Sequence, residues 1–456
     1  MSGTFSSLNT ALSALRYNRV AMDVASGNVA NSGTAGYARR QVIGQATGAP
    51  AVVAMWSRWE TGMGDGVQPG GITRMVDPLL DARARLEHAA SSYLDTRVVS
   101  LARFETALGE PGDNGIAAAL SDFQQGWHDI ANNPADGAAR SQLLARAETL
   151  RSAIVGQDRA VRTEWADQRS RLDALGAEVN QVAGELATLN DALRSAHVGG
   201  TEAGVLLDRR DQLTLRLSEL TGSKITIHED TTVDVTVAGQ ALVTGSTASA
   251  VTVTGSADLA GAAGDPVQFL VGGTAVSLNA GEVGGTQSLL NTDLPGYLAS
   301  LDSFVATLVT KTNDQHALGV DPDGVAGGAF FGGTTAATLT VDVPDARSIA
   351  AGDPARGALD GSNATKLAGL DIGGGQYREL VTSFGVLVSA AQRGASNQAV
   401  LVNQVDASRE ALSGISIDEE MVNLLAAQRG YEGASRVLTT LDSVLDTLIN
   451  RTGLLR

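Results

Sequence analysis

Between Pro134 and Pro266 the chain contains no proline. Inside that stretch an apolar side chain returns every three or four residues: Val161, Trp165, Leu172, Leu175, Val179, Val182, Leu186, Leu189 and Leu193, with Gln168 in the one gap. An α-helix places residues at that spacing on one face. The striped run alone makes a rod of about 50 Å at ~1.5 Å per residue. A rod of that length needs antiparallel partners along its apolar face. Two other stretches carry a matching stripe, Thr286–Thr312 and Leu380–Leu412, the second through Leu380, Phe384, Leu387, Ala391, Val402, Val405 and Leu412. The expected fold class is mainly α, an elongated helical bundle or coiled-coil rod with an inserted β-rich outer domain.

Both ends of the chain also read as amphipathic helices. Near the start Leu8, Leu15, Met22 and Val29 are seven residues apart, with Phe5 and Leu12 on the same side and Arg19 interrupting. That helix should stop in the cluster Asn28, Asn31, Ser32, Gly33 and Gly36. Residues 41–76 look extended, with β-formers Val52 and Val53, two tryptophans, Trp56 and Trp59, read as packing where an extended arm crosses a helix, and a turn-rich stretch at Gly62–Gly71. Pro78 opens a further helix with Leu94, Val98, Leu101 and Leu108 on its apolar face. At the other end Ser416 and Glu419 form a capping box, and Asp418, Glu419 and Glu420 put negative charge at the positive end of the helix dipole. The stripe that follows runs through Ile417, Met421, Leu424, Tyr431, Leu438, Leu441, Leu445, Leu448 and Leu455, with Gln428 and Ser435 at two of its positions and one slip near Leu438–Leu441. Gly453 would end it. The conformational entropy lost on ordering these two ends exceeds what their apolar residues return on burial. The expectation is that they take fixed shape against neighbouring subunits.

The β material lies between the helices. Lys224–Val283 is rich in Thr, Val, Gly and Ser, and alternations such as Val233-Asp234-Val235-Thr236-Val237 have the period of half-buried strands. A second Gly/Asp-rich stretch, Gly319–Gly375, holds one more strand candidate at Leu339–Val343. Both read as outward excursions from the rod. The expected division is 1–36 with 416–456 as terminal coiled-coil core segments, 37–223 with 286–318 and 376–415 as a helical rod domain, 224–285 as a β-rich outer domain, and 319–375 as an excursion attached to it.

Chemistry-bearing motifs are sparse. Lys plus Arg is 33 and Asp plus Glu 50 in 456 residues, a net charge of −17, which argues against a general nucleic-acid binder. With no cysteine there is no disulfide, thiol nucleophile or Cys–zinc site. No phosphate loop, nucleophile elbow or H-E-x-x-H is present. The first charged residue is Arg16 and the start is polar, so no cleavable signal peptide is expected, and the long charge-free stretches are too broken by Gly and Thr for a membrane span. Asp321-Pro322-Asp323-Gly324 lacks the third acidic position and the later Glu of a calcium hand and reads as a surface turn. His316 reads as a polar residue on a loop edge. No catalytic residue, cofactor or metal is expected.

Ser26-Gly27-Asn28-Val29-Ala30-Asn31 with Gly36-Tyr37-Ala38-Arg39 resembles the N-terminal signature of the bacterial flagellar rod, hook and hook-associated proteins. Val422-Asn423-Leu424, Gln428, Tyr431, Leu438 and Asp446-Thr447-Leu448-Ile449-Asn450 resemble the paired C-terminal signature. Within that family, Leu207-Asp208-Arg209-Arg210-Asp211-Gln212-Leu213, Asn313–Asp321 with Phe330-Phe331, and Ser413–Glu420 are similar to the hook-associated members of the hook–filament junction. The resemblance implies a structural subunit, not an enzyme, that assembles helically and is exported to the extracellular flagellum without a cleaved leader. Implied partners are copies of itself, the hook protein, a second junction protein toward the filament and a cytoplasmic export chaperone on the C-terminal helix. Another axial protein, a hook or distal rod subunit, is the alternative. A wall-hydrolase fusion would need a carboxylate pair in a cleft. The expected assembly interface comprises Leu8, Leu12, Leu15, Met22, Leu424, Tyr431, Leu438, Leu441, Leu445, Leu448 and Ile449, with Asn28, Asn31, Gly36 and Tyr37 shaping the bend between core and rod.

Overall fold

The structure is a computed structural model that describes residues 2–47, 66–201 and 203–447. The chain enters as α1 (Ser2–Ala30), turns, and forms an antiparallel pair, β1 (Arg40–Thr47) and β2 (Gly66–Arg74), with Arg40 opposite Arg74. Val52, Val53, Trp56, Trp59, Gly62 and Gly64 lie outside the described residues, as do Leu448, Ile449, Gly453 and Leu455.

The rod begins at α2 (Pro78–Leu108). Asp77 caps it by accepting from the Leu79 N–H at 2.8 Å, and Pro78 stands where no N–H is needed. Leu101 and Leu108 are buried as the stripe predicts, Leu94 and Val98 are half-buried, and Phe104 joins them. Next come α3 (Ile116–Asn132) and α4 (Gly137–Gly199). At 63 residues α4 spans ~95 Å, well beyond its striped portion. Eight of the nine stripe residues are buried and Leu189 is half-buried; Gln168, in the gap, is buried as well and donates to Glu164 at 2.9 Å. After α5 (Gly204–Thr221) and the β segment, α6 (Gly281–Ser288) passes through a wide turn at Leu289–Asp293 into α7 (Leu294–Ala317). Trp165 of α4 donates its indole N–H to the Leu290 carbonyl in that wide turn, at 2.9 Å.

The strands between α5 and α6 form two antiparallel sheets. One has the order β3 (Lys224–Ile227), β4 (Val233–Val237), β5 (Gln240–Thr244), β6 (Thr247–Ala248). The other has β7 (Val251–Thr254), β8 (Gln268–Val271), β9 (Thr274–Val276). Both contact α4. Two asparagines of α4 act as substitute strand partners. Asn190 accepts from Val233 N–H at 3.0 Å and donates to Val233 O at 2.8 Å, and Asn180 does the same for Val251 at 2.7 and 2.9 Å. Val233, Val235, Val237 and Phe269 therefore share one apolar core with the rod helices.

Residues 319–375 also fold back. Strands β10 (Phe331–Gly332) and β11 (Thr340–Val341) pair, and a single 3₁₀ turn (Ala346–Ser348) precedes α8 (Ser362–Ala368), which packs on α3 and α7. Asp321 accepts from the N–H groups of Asp323 and Val325, both at 2.9 Å, and Gly324 has φ +80°, the geometry of a turn. His316 is not on a loop edge. It is buried against Trp127 and Phe330, donates from Nδ1 to Gly328 O at 2.8 Å and accepts at Nε2 from Ala350 N–H at 2.8 Å. The loop wraps over the end of α7 and seals the ring in. The chain then returns along α2 as α9 (Gly374–Ser413) and ends in α10 (Ile417–Asp446) beside α1.

Candidate assembly interface

The terminal helices α1 and α10 lie side by side, with the β1–β2 hairpin on the other flank of α1. Among the described residues of the pair, the fully buried side chains at the contact are small or polar: Ala11, Ala25, Asn28, Glu420 and Ala427. The helices come so close that a Cβ on Gly430 would lie 2.9 Å from Asn18 Cγ. The covered face of α10 runs through Glu420, Leu424, Ala427, Ala434, Leu438, Leu441 and Leu445, the leucines half-buried. Leu424, Leu438, Leu441 and Leu445 of the stripe expected from sequence lie on this face. Ile417, Met421 and Tyr431 of that stripe face outward, and Met421, Leu425, Val437 and Val444 are 43, 47, 50 and 43 % exposed. On α1, Leu8, Leu15 and Met22 are half-buried and Leu12 is exposed. One chain thus leaves apolar side chains uncovered on the outward side of α10, Met421 and Leu425 on one flank and Val437 and Val444 on the other.

Where the pair meets the rod, polar groups replace apolar ones. Asn28, at the last turn of α1, is fully buried and uses both ends of its amide. Its Nδ2 donates to Arg40 O at 2.8 Å and Glu420 Oε2 at 2.9 Å; its Oδ1 accepts from Arg40 N–H at 3.0 Å and Tyr37 O–H at 3.1 Å. The Glu420 carboxylate, nearly sealed from water, also receives Arg39 at 2.8 Å, whose other guanidinium nitrogen reaches Glu419 at 3.0 Å. Glu419 therefore spends its charge on Arg39, while Ser416 caps α10 through the Glu419 N–H. Across the joint, α5 supplies Asp208, which holds Arg40 at 2.9 Å and Arg74 at 2.8 Å, and Asp211, which holds Arg74 at 2.7 Å. Arg39 N–H donates to Ser413 O at 3.0 Å, tying in the end of α9.

The turn between α1 and β1 is set by local chemistry. Asn31 donates to Gly27 O at 2.9 Å and accepts from Thr34 at 3.2 Å. Gly36 has φ +76°, and a Cβ there would overlap the Gln212 side chain, which donates to Ala35 O at 2.6 Å. Asn28, Asn31, Gly36 and Tyr37 thus come together at this bend. The charged residues Arg39, Arg40, Arg74, Asp208, Asp211 and Glu420 were not singled out as site residues from the sequence. The dense run Asp208-Arg209-Arg210-Asp211 was the available signal.

The family described as the flagellar hook-associated protein FlgK helical domain matches residues 101–331, just over half of the chain. The chain belongs to that family. Two shorter matches frame the joint: the flagella basal body rod protein family over residues 8–37 and the flagellar basal body rod FlgEFG protein C-terminal family over 410–451. These are the two segments that form the pair and its bend. Similar relatives are the flagellar hook-associated protein 1 of Bacillus subtilis, 27 % identical with 99 % of each chain covered, and that of Escherichia coli, 26 % identical with 97 % of this chain and 99 % of the relative covered. The flagellar hook junction protein FlgK from Burkholderia pseudomallei shares the fold with a TM-score of 0.65 at 16 % identity, over 73 % of this chain and all of that one. A hook protein of Helicobacter pylori is similar over 34 % of this chain.

Proposed function

We propose that this chain is a structural subunit of the junction between flagellar hook and filament, working by helical self-assembly and not by turnover. The observation that carries the reading is the apolar surface left open on the outward side of α10 in the terminal pair. Met421, Leu425, Val437 and Val444 are exposed in the single chain, beside a joint fixed by the Asn28–Glu420–Arg39 contacts. A surface of that kind is stable in water when neighbouring subunits cover it, and contacts repeated along a screw axis do so. Residues 1–36 and 416–456 are read as the core segments that reach full order on assembly, and the rod domain as the shell around them. Hook subunits below and a second junction protein above would meet the same surface and rod face. Before assembly, a chaperone on α10 would shield it during export without a cleaved leader.

A deletion strain tests this. Intact hooks without filaments, with filament subunits released into the medium, are expected; missing hooks would favour a hook subunit instead. The purified chain is expected to clear no peptidoglycan in a zymogram, with Asp321 and Asp323 present or replaced by Ala; clearing that depends on those carboxylates would overturn the purely structural reading.

A further inference from the structure

A second polar cluster lies on the rod side of the joint, in a cleft of ≈ 440 Å³ between α2, α5 and the end of α9. Its centre is His88 of α2. One ring nitrogen, Nε2, stands 3.0 Å from Asp406 of α9, and the other, Nδ1, stands 3.4 Å from Glu219 of α5. A carboxylate can only accept, so each ring nitrogen must carry a proton to bond its partner. A neutral imidazole has one N–H and would turn a lone pair toward the other carboxylate. The Asp406 contact is a hydrogen bond and the longer Glu219 contact an ion pair, and only the imidazolium is favoured by both.

We infer that His88 is a charged cross-brace that fastens α9 and α5 to α2, so that the lead-in to α10 loosens from the rod as the medium turns alkaline. The inference rests on the single chain and not on the proposed function. The surrounding charges agree with it. On α9, Arg409 is engaged by Asp81 of α2 at 2.9 Å, and Glu410 also lines the cleft. On α5, Arg216 reaches Glu219 at 3.3 Å but is shared with Glu178 of α4 at 2.7 Å and Glu282 of α6 at 2.9 Å. From the strand side, Arg74 is held by Asp211, and Asp77 caps α2. On α2 itself the half-buried Arg85 faces Asp81 and Asp211, so that each arginine of the cluster is matched by carboxylates and Glu219 and Asp406 are left facing His88. Glu219, the more buried carboxylate, and then Asp406 hold the imidazole above its ordinary range, against the downward pull of burial. Glu219 itself is held low, first by His88. A group raised on folding adds stability that is complete below its unfolded value and is lost as pH rises through its folded one.

The test uses the full chain with ¹³C-labelled histidine, the His88 resonance being assigned by His88→Gln. Its titration midpoint is expected above the ordinary imidazole value of about 6.5, and Asp406→Asn is expected to lower it. Amide exchange of residues 400–413, corrected for the intrinsic rate, should lose protection across that midpoint in the wild type and not in His88→Gln. If His88→Gln fails to fold, Asp406→Asn carries the same comparison, because its loss of protection should move to lower pH with the midpoint. A His88 midpoint at or below the ordinary imidazole value, or unchanged protection across it, would overturn the brace.

Discussion

Asn28 is the residue on which the bend turns, because its amide satisfies a strand backbone and a buried carboxylate at once. Asn28→Asp keeps the shape but replaces the donor to Glu420 with a second negative charge. We expect the first turns of α10 to open more easily by about 3 kcal/mol at neutral pH. Part of this should return as pH falls and the two carboxylates share a proton. Amide exchange at residues 417–424 measures it. His316 gives the opposite pH behaviour to His88. Burial holds it below its ordinary value, and its Nε2 must stay unprotonated to accept from Ala350. Its contribution is complete above the unfolded value of about 6.5 and is lost as pH falls toward its own lower one. Urea unfolding between pH 7 and 4.5 should show an acid limb that shrinks in His316→Gln. Gly36→Ala should destabilise the bend by roughly 1–2 kcal/mol for the left-handed backbone alone, readable as faster amide exchange at residues 28–40.

Elements differ in how much of their stability is their own. On α4, Leu172 is completely buried, and Leu172→Ala should cost about 2–5 kcal/mol in urea unfolding. On α10, Leu441 is half-buried, and Leu441→Ala should change unfolding of the dilute chain by about 1 kcal/mol or less. Leu425→Ala, on the uncovered side of α10, should leave unfolding nearly unchanged and weaken polymerisation, which sedimentation of assembled against free chain would show. Helix stripe and cap are local properties, and the striped rod helices were legible from them. Which side of α10 meets α1 was not, because Ala427 and Ala434 contribute little to a hydrophobic pattern yet permit the close approach. The sheets were legible as strands. Their place along α4 depends on Asn180 and Asn190, polar residues that no periodicity marks as contacts.

At the scale of the molecule, the structure is a long rod joined to a helix pair by a compact set of ion pairs and one buried amide. The joint holds α1, both strands of the hairpin, α5, α9 and α10 together. An apolar joint would slide; directional charge-assisted bonds fix its angle. The charge-introducing pair Met421→Asp and Leu425→Asp lies on the open side of α10. It should leave the stability of the dilute chain within about 0.5 kcal/mol and abolish rescue of filament growth in the deletion strain. Normal rescue by that double variant would place the assembly surface elsewhere.

The sequence alone determined that the striped stretches in α1, α2, α4, α7, α9 and α10 are helical, where α2 and α10 begin, which face of the central rod is apolar, and that both ends carry sticky stripes. These follow from spacing and capping within a few turns of chain, while α3, α5, α6 and α8 were not marked by a stripe. Only the tertiary structure decided which half of the terminal stripe is covered, that the β segments lie on the rod, that His316 is sealed in, and which charges meet at the joint. Asn28 and Glu420 are 392 positions apart. No local pattern encodes such a meeting, because it depends on the summed path of every element between them.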